Sequence, residues 1–149
     1  MDDADRAAVA TLLGREPRSD VDIVVRDAAG KPIVICNPPI LDDGTPMATR
    51  YWLVGERERR LVGLLESEGG VREANNVIDA NELAAAHARY RAERDAAVPP
   101  TTSGPRPSGG VGGTRTGVKC LHAHYAWFLA GGDDPVGRWV HDRISRSDA

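Results

Sequence analysis

Lysine is nearly missing from this 149-residue chain. Lys31 and Lys119 are the two lysines among 19 lysine and arginine residues, and the rest are arginine. Aromatic residues make up 5% of the chain, so its core has to be built from Leu, Val, Ile and Ala. There is no basic excess. The formal net charge is −3, whereas a protein that wraps duplexes carries a clear positive surplus, so general nucleic-acid binding is not expected. Two cysteines, Cys36 and Cys120, are too few for a disulfide framework. No apolar run reaches the roughly 18 residues of a membrane span. The opening "MDDADRAAVATLLGREPR" lacks the basic start and apolar centre of a signal peptide. These absences predict a cytoplasmic protein without a membrane segment, its two thiols reduced; a single Cys36–Cys120 disulfide is the alternative.

A hydrophobic fraction of 41% is enough to build a packed core. The length suits a single domain over residues 1–149, with residues 98–117 as a long Gly/Pro-rich loop inside it. An apolar stripe predicts a helix over 3–14, ended by Gly14. "VDIVVRD" and "KPIVICN" read as a hairpin in which Pro32 either moves its strand to an edge or delays its start. The proline-rich "NPPILDDGTPMAT" is irregular, with Asp42 and Asp43 as turn residues, and "RYWLV" is a third strand. "ERERRLVGLLESEGG" is a helix with Gly69–Gly70 at its C-terminal cap. Asp79 with Glu82 resembles a capping box opening "ANELAAAHARYRAERDAA", whose Glu and Arg residues read as a solvated flank. Two C-terminal helices follow. One covers about 119–130; the other has Asp134 as N-cap and Pro135 in its first turn. The expected fold class is α+β: a small antiparallel sheet of about three strands, with four to five helices packed on one face.

"GVKCLHAHYAWFLAGG" carries Cys120, His122 and His124 at alternate positions. On a regular helix Cys120 and His124 share a face and His122 lies away from them, so the three converge only if Cys120 lies just before the first turn or if the segment begins extended. Zinc would need all three plus a fourth group from Cys36, His87, His141 or a carboxylate, or a water in a catalytic site. Alternatively Cys120, acidified at a helix start, is a nucleophile with a histidine base, Cys120, His122 and His124 being the catalytic candidates. A buried structural thiol is the plain alternative to both.

"SGGVGGTRTGVK" points elsewhere. Gly112, Gly113 and Gly117 let backbone amides approach an anion, Thr114 supplies a hydroxyl, and Arg115 and Lys119 supply charge before a helix N-terminus. Arg50 could reach the same anion. The stretch is neither a Walker loop nor a dinucleotide fingerprint, and a flexible glycine linker has the same composition. The leading expectation is a protein that binds a phosphate-bearing small molecule or polyphosphate. The alternatives are a metal- or thiol-dependent hydrolase and a scaffold for a protein partner. Trp127, Phe128 and Trp139 read as core, and His87 as a solvent-side or satisfied histidine.

The blocks "LDDGTPMATRYWL", "LESEGGV", "GGVGGTRTGVKCLHAHYAWFLAGG" and "DDPVGRWV" resemble a bacterial, mainly actinobacterial family known as domain of unknown function five hundred and one. The likeness covers nearly the whole chain and is strongest over Asp43–Leu53 and Gly109–Val140. Its motif positions include Gly112, Gly113, Thr114, Gly117, Lys119, Cys120, His122 and His124; Cys36 matches none. Members are often encoded beside a septum-formation initiator and an exopolyphosphatase-type phosphatase. The resemblance therefore implies a cell-division or phosphatase context and brings no mechanism.

Overall fold

A computed structural model describes residues 1–147, with Ser147 described by its backbone only. The chain begins with helix α1 (Asp3–Leu13), capped by Asp2, whose side chain accepts from the Asp5 N–H. Strands β1 (Asp22–Arg26), β2 (Pro32–Cys36) and β3 (Tyr51–Leu53) form one antiparallel sheet in that order. Asp27 makes the β1–β2 turn: its Oδ1 accepts from the Ala29 and Lys31 N–H groups at 2.8 and 2.9 Å. Pro32 is the first residue of β2, which is the central strand, so the proline delays the strand and does not move it to an edge.

Register sorts the side chains by face. Val34 pairs with Leu53 and Cys36 with Tyr51, and this face looks into the main core; Ile35 pairs with Trp52 on the other. Val9, Leu12 and Leu13 of α1 cover the second face, together with Ile23, Ile35 and Val54. Helices therefore flank the sheet on both sides, not one. The expectation missed this because the apolar stripe of α1 does not say which face it covers.

Six α-helices are present among the described residues, with a single 3-10 turn at Val111–Gly113. α2 (Glu56–Ser67) stops at a left-handed Gly69, as expected, but Gly70 then opens a separate helix, α3 (Gly70–Val77), which the polar "REANN" hid. α4 (Ala80–Ala96) starts at Asp79, whose carboxylate accepts from the Glu82 N–H. Its inward stripe is Leu83, Ala86, His87, Tyr90 and Arg94. Arg94 is fully buried, so that arginine is not part of a solvated flank. Three of these five inward residues are polar, which erased the amphipathic signal.

Each polar group on that stripe satisfies loop backbone. Arg94 Nη1 donates to the Ala48 and Gly109 carbonyls at 3.1 and 2.8 Å. The Arg50 N–H donates to Tyr90 Oη at 2.6 Å. His87 Nδ1 accepts from the Val111 N–H at 3.0 Å, so Nε2 carries the proton and donates to the Gly117 carbonyl at 2.9 Å. A buried loop has backbone groups that water cannot reach, and α4 supplies their partners.

α5 (Leu121–Leu129) is buried on most of its surface and packs between β3 and α6 (Pro135–Ser147). At Gly137 α5 and α6 approach closely: a Cβ there would sit 2.3 Å from Phe128 Cβ and 2.7 Å from the His124 carbonyl. Asp134 ties the pair together. One carboxylate oxygen caps α6 through the Val136 N–H at 2.9 Å, and the other accepts from His124 Nδ1 at 2.6 Å, with both side chains buried. No helix among the described residues is long and apolar enough to cross a membrane.

Removing the carboxylate strands a buried imidazole and uncaps α6. Asp134→Ala should therefore lose about 3–5 kcal/mol in urea unfolding; a loss under 1 kcal/mol would show that the pair is not closed. His87 gives a pH signature. Burial, the largest effect, holds its pKa below 6.5, and protonation of Nδ1 would break the Val111 bond. A depressed folded pKa means stability that is complete above about pH 6.5 and declines as pH falls toward the folded value. His122, with a raised pKa, contributes with the opposite sign. The comparison is therefore between variants: His87→Gln should flatten the decline in stability between pH 7 and 5.

Candidate functional site

α5 begins without a good cap of its own. Cys120 occupies the N-cap position in extended conformation (φ −148°, ψ 125°), and cysteine is not among the residues that cap well. The missing acceptor comes from α2. Glu66 Oε2 accepts from the Leu121 N–H at 2.9 Å, while Oε1 lies 3.0 Å from His122 Nδ1. One carboxylate thus closes an orphan amide of α5, faces the positive end of its dipole and orients His122.

The extended N-cap also decides which histidine meets the thiol. Cys120 lies just before the first turn, and from that N-cap position its side chain meets the His122 side chain and the Ala123 N–H. Glu66, Cys120 and His122 bring one oxygen, sulfur and nitrogen within 4.8 Å of one another, and all three are half-buried. Burial pushes the Cys120 thiol up, but its hydrogen bond with His122 and the nearby Ala123 N–H outweigh this, and the pKa ends below its ordinary value. The bond to Cys120 and the Glu66 charge raise that of His122 against its own burial. A thiol and an imidazole shifted in these directions form a pair in which the proton leans toward nitrogen.

His124 is not part of this group. Helical geometry predicted that it would share a face with Cys120; the extended N-cap removes the basis for that alignment. His124 is fully buried against Asp134, and its ring meets His87 edge-on at 5.8 Å. The helix is also shorter than expected, beginning at Leu121 and not 119.

Cys120 and His122 open onto a cleft of about 480 Å³ along β3, lined also by Leu53, Arg59, Gly112 and Lys119. Of the anticipated anion-holding residues, Gly112 and Lys119 reach this cleft. Gly113, Thr114, Arg115, Gly117 and Arg50 do not line it. Thr114 Oγ1 donates to the Thr116 carbonyl at 2.9 Å, the Gly117 carbonyl faces His87, and Arg50 Nη1 donates to the Asn37 carbonyl at 3.4 Å. Several loop amides are spent internally: Gly110 on Thr114, Gly113 on Gly110, Val111 on His87 and Val118 on Asn75. With Leu121 committed to Glu66, the backbone offers an anion less than the glycine content promised. Sequence reasoning missed two residues, Glu66 and Arg59. Both are on α2, more than fifty positions before α5, and no spacing links them to the "CLHAH" segment.

The chain belongs to the family described as protein of unknown function DUF501, whose model matches residues 23–142. No curated protein and no solved structure matches it.

The two thiols should differ in reactivity. Cys36 is raised, chiefly by burial, and Cys120 is lowered. Iodoacetamide labelling of the folded protein at pH 7, read by mass spectrometry, should modify Cys120 several times faster than Cys36. His122→Ala should remove the difference. Equal rates in the native chain would contradict the pairing.

Proposed function

We propose that the chain binds a phosphate-bearing ligand in the cleft beside β3, with Lys119 and Arg59 holding the anion and Cys120 and His122 at its floor. The carrying observation is that two cations from separate segments, α2 and the approach to α5, line one cleft. Its volume is that of a small-molecule site. Arg59 donates from Nη1 to the Leu12 carbonyl at 3.2 Å, which fixes the guanidinium while its other donors are available for a ligand. In this reading the anion lies to the side of the α5 N-terminus, because Glu66 already occupies that position.

A hydrolase is the second reading, and the Glu66–His122–Cys120 arrangement is the observation that favours it. The carboxylate orients the imidazole, the imidazole faces the thiol, and the thiol opens onto the ligand cleft. Here His122 takes the part assigned to either histidine from the sequence, and Glu66 the part of the orienting acid.

Calorimetric titration with inorganic phosphate, nucleotides and polyphosphate tests the first reading. At least one should bind the native protein. A charge-assisted hydrogen bond is worth about 1.5–3 kcal/mol, so Lys119→Ala and Arg59→Ala should each weaken binding about ten- to a hundredfold. Binding left unchanged by both substitutions, or no binding by any of these anions, would remove the reading.

A further inference from the structure

We propose that Glu66, Cys120 and His122 form a three-ligand site for a divalent transition metal of the zinc type, with its open coordination position facing the cleft. The ligand set rests on the cluster geometry alone; only the character of what fills the open position rests on the phosphate reading.

The donor set is selective. Thiolate and imidazole suit zinc, cobalt(II) and similar ions, whereas magnesium and calcium take oxygen ligands. Thiolate and carboxylate together balance a dication, so a neutral His122 completes the set without surplus charge. Three protein ligands with a remaining place for water or substrate is the pattern of an open zinc site; closed structural sites use four.

The spacing fits an ion of that size. Around tetrahedral zinc, neighbouring nitrogen, oxygen and sulfur donors lie about 3.3–3.7 Å apart. His122 Nδ1 and Glu66 Oε1 are 3.0 Å apart, and the donor atoms all fall within 4.8 Å. An ion inserted between nitrogen and oxygen replaces the proton they share and opens the pair by a few tenths of an ångström. Glu66 also has outer support: the Leu121 N–H holds Oε2 at 2.9 Å and leaves Oε1 toward the other two donors. Cys120 and His122 both line the cleft, which gives the ion an entry path and puts the fourth position where an anion held by Lys119 and Arg59 would reach it.

The experiment is a cobalt(II) titration of the untagged, chelator-treated full chain, followed by absorption. One equivalent should give a thiolate-to-cobalt charge-transfer band in the near ultraviolet with the intense visible bands of tetrahedral cobalt. Zinc should displace it and magnesium should not. Cys120→Ser should lose the charge-transfer band, Cys36→Ser should keep it, and Glu66→Gln should weaken binding by more than about a hundredfold, beyond the usual cost of an outer-shell loss. Circular dichroism checks that each variant is folded, and the native titration is decisive without them. No charge-transfer band in the native protein, or the same band in Cys120→Ser, overturns the proposal. Phosphate titrations of the metal-free protein separate the two readings: cobalt binding without phosphate affinity sinks the ligand reading alone, and the reverse sinks the metal site alone.

Discussion

A single carboxylate joins the two helices on which the candidate site is built. Glu66 belongs to α2, yet its oxygens are spent on α5, one on the Leu121 N–H and one on His122. Helix α5 is buried on most sides and cannot rely on water for its first amides. Cys120 provides no side-chain cap, so the acceptor is supplied in trans. A carboxylate placed there is also favoured by the dipole, by about 0.3–2 kcal/mol depending on burial. The same arrangement fixes the chemistry: it orients the imidazole, brings a negative charge beside the thiol and fills the position a bound anion would otherwise take.

Around this point buried polar groups tie the irregular segments to the apolar core. His87, Tyr90 and Arg94 turn inward from α4 and meet the backbone of the 37–50 and 98–119 segments. Asp134 does the same for α5 and α6. Two long irregular segments can therefore pack against the core without leaving their amides unpaired. The approach to α5, which carries Lys119 and Cys120 into the cleft, is positioned through Asn75 and His87.

Much of the fold was legible because local chemistry decides it. The hairpin turn at Asp27, the cap at Asp79, the αL residue at Gly69 and the start of α6 at Pro135 all follow from residue types at short range. What was not legible depends on distance or on polarity inside the core. The apolar stripe of α1 does not announce which face of the sheet it covers. Arg94 looks like surface and is buried because two loop carbonyls need it. Glu66 lies in the "LESEGGV" block, which resembles the family sequence, but nothing within α2 shows that it reaches across to α5. The "CLHAH" spacing would bring all three side chains together on an extended segment, but only Cys120 is extended, and it meets His122 because it lies just before the first turn of α5. Two of the three side chains therefore converge and the third, His124, turns into the core.

The central claim is that Cys120, His122 and Glu66 are one coupled group and not three neighbouring side chains. Its most direct test is the imidazole titration of His122 by NMR in the metal-free protein, in native form and in Cys120→Ser and Glu66→Gln. Coupling predicts a native pKa above the ordinary histidine value that falls in each variant. The same His122 titration in all three proteins would contradict it.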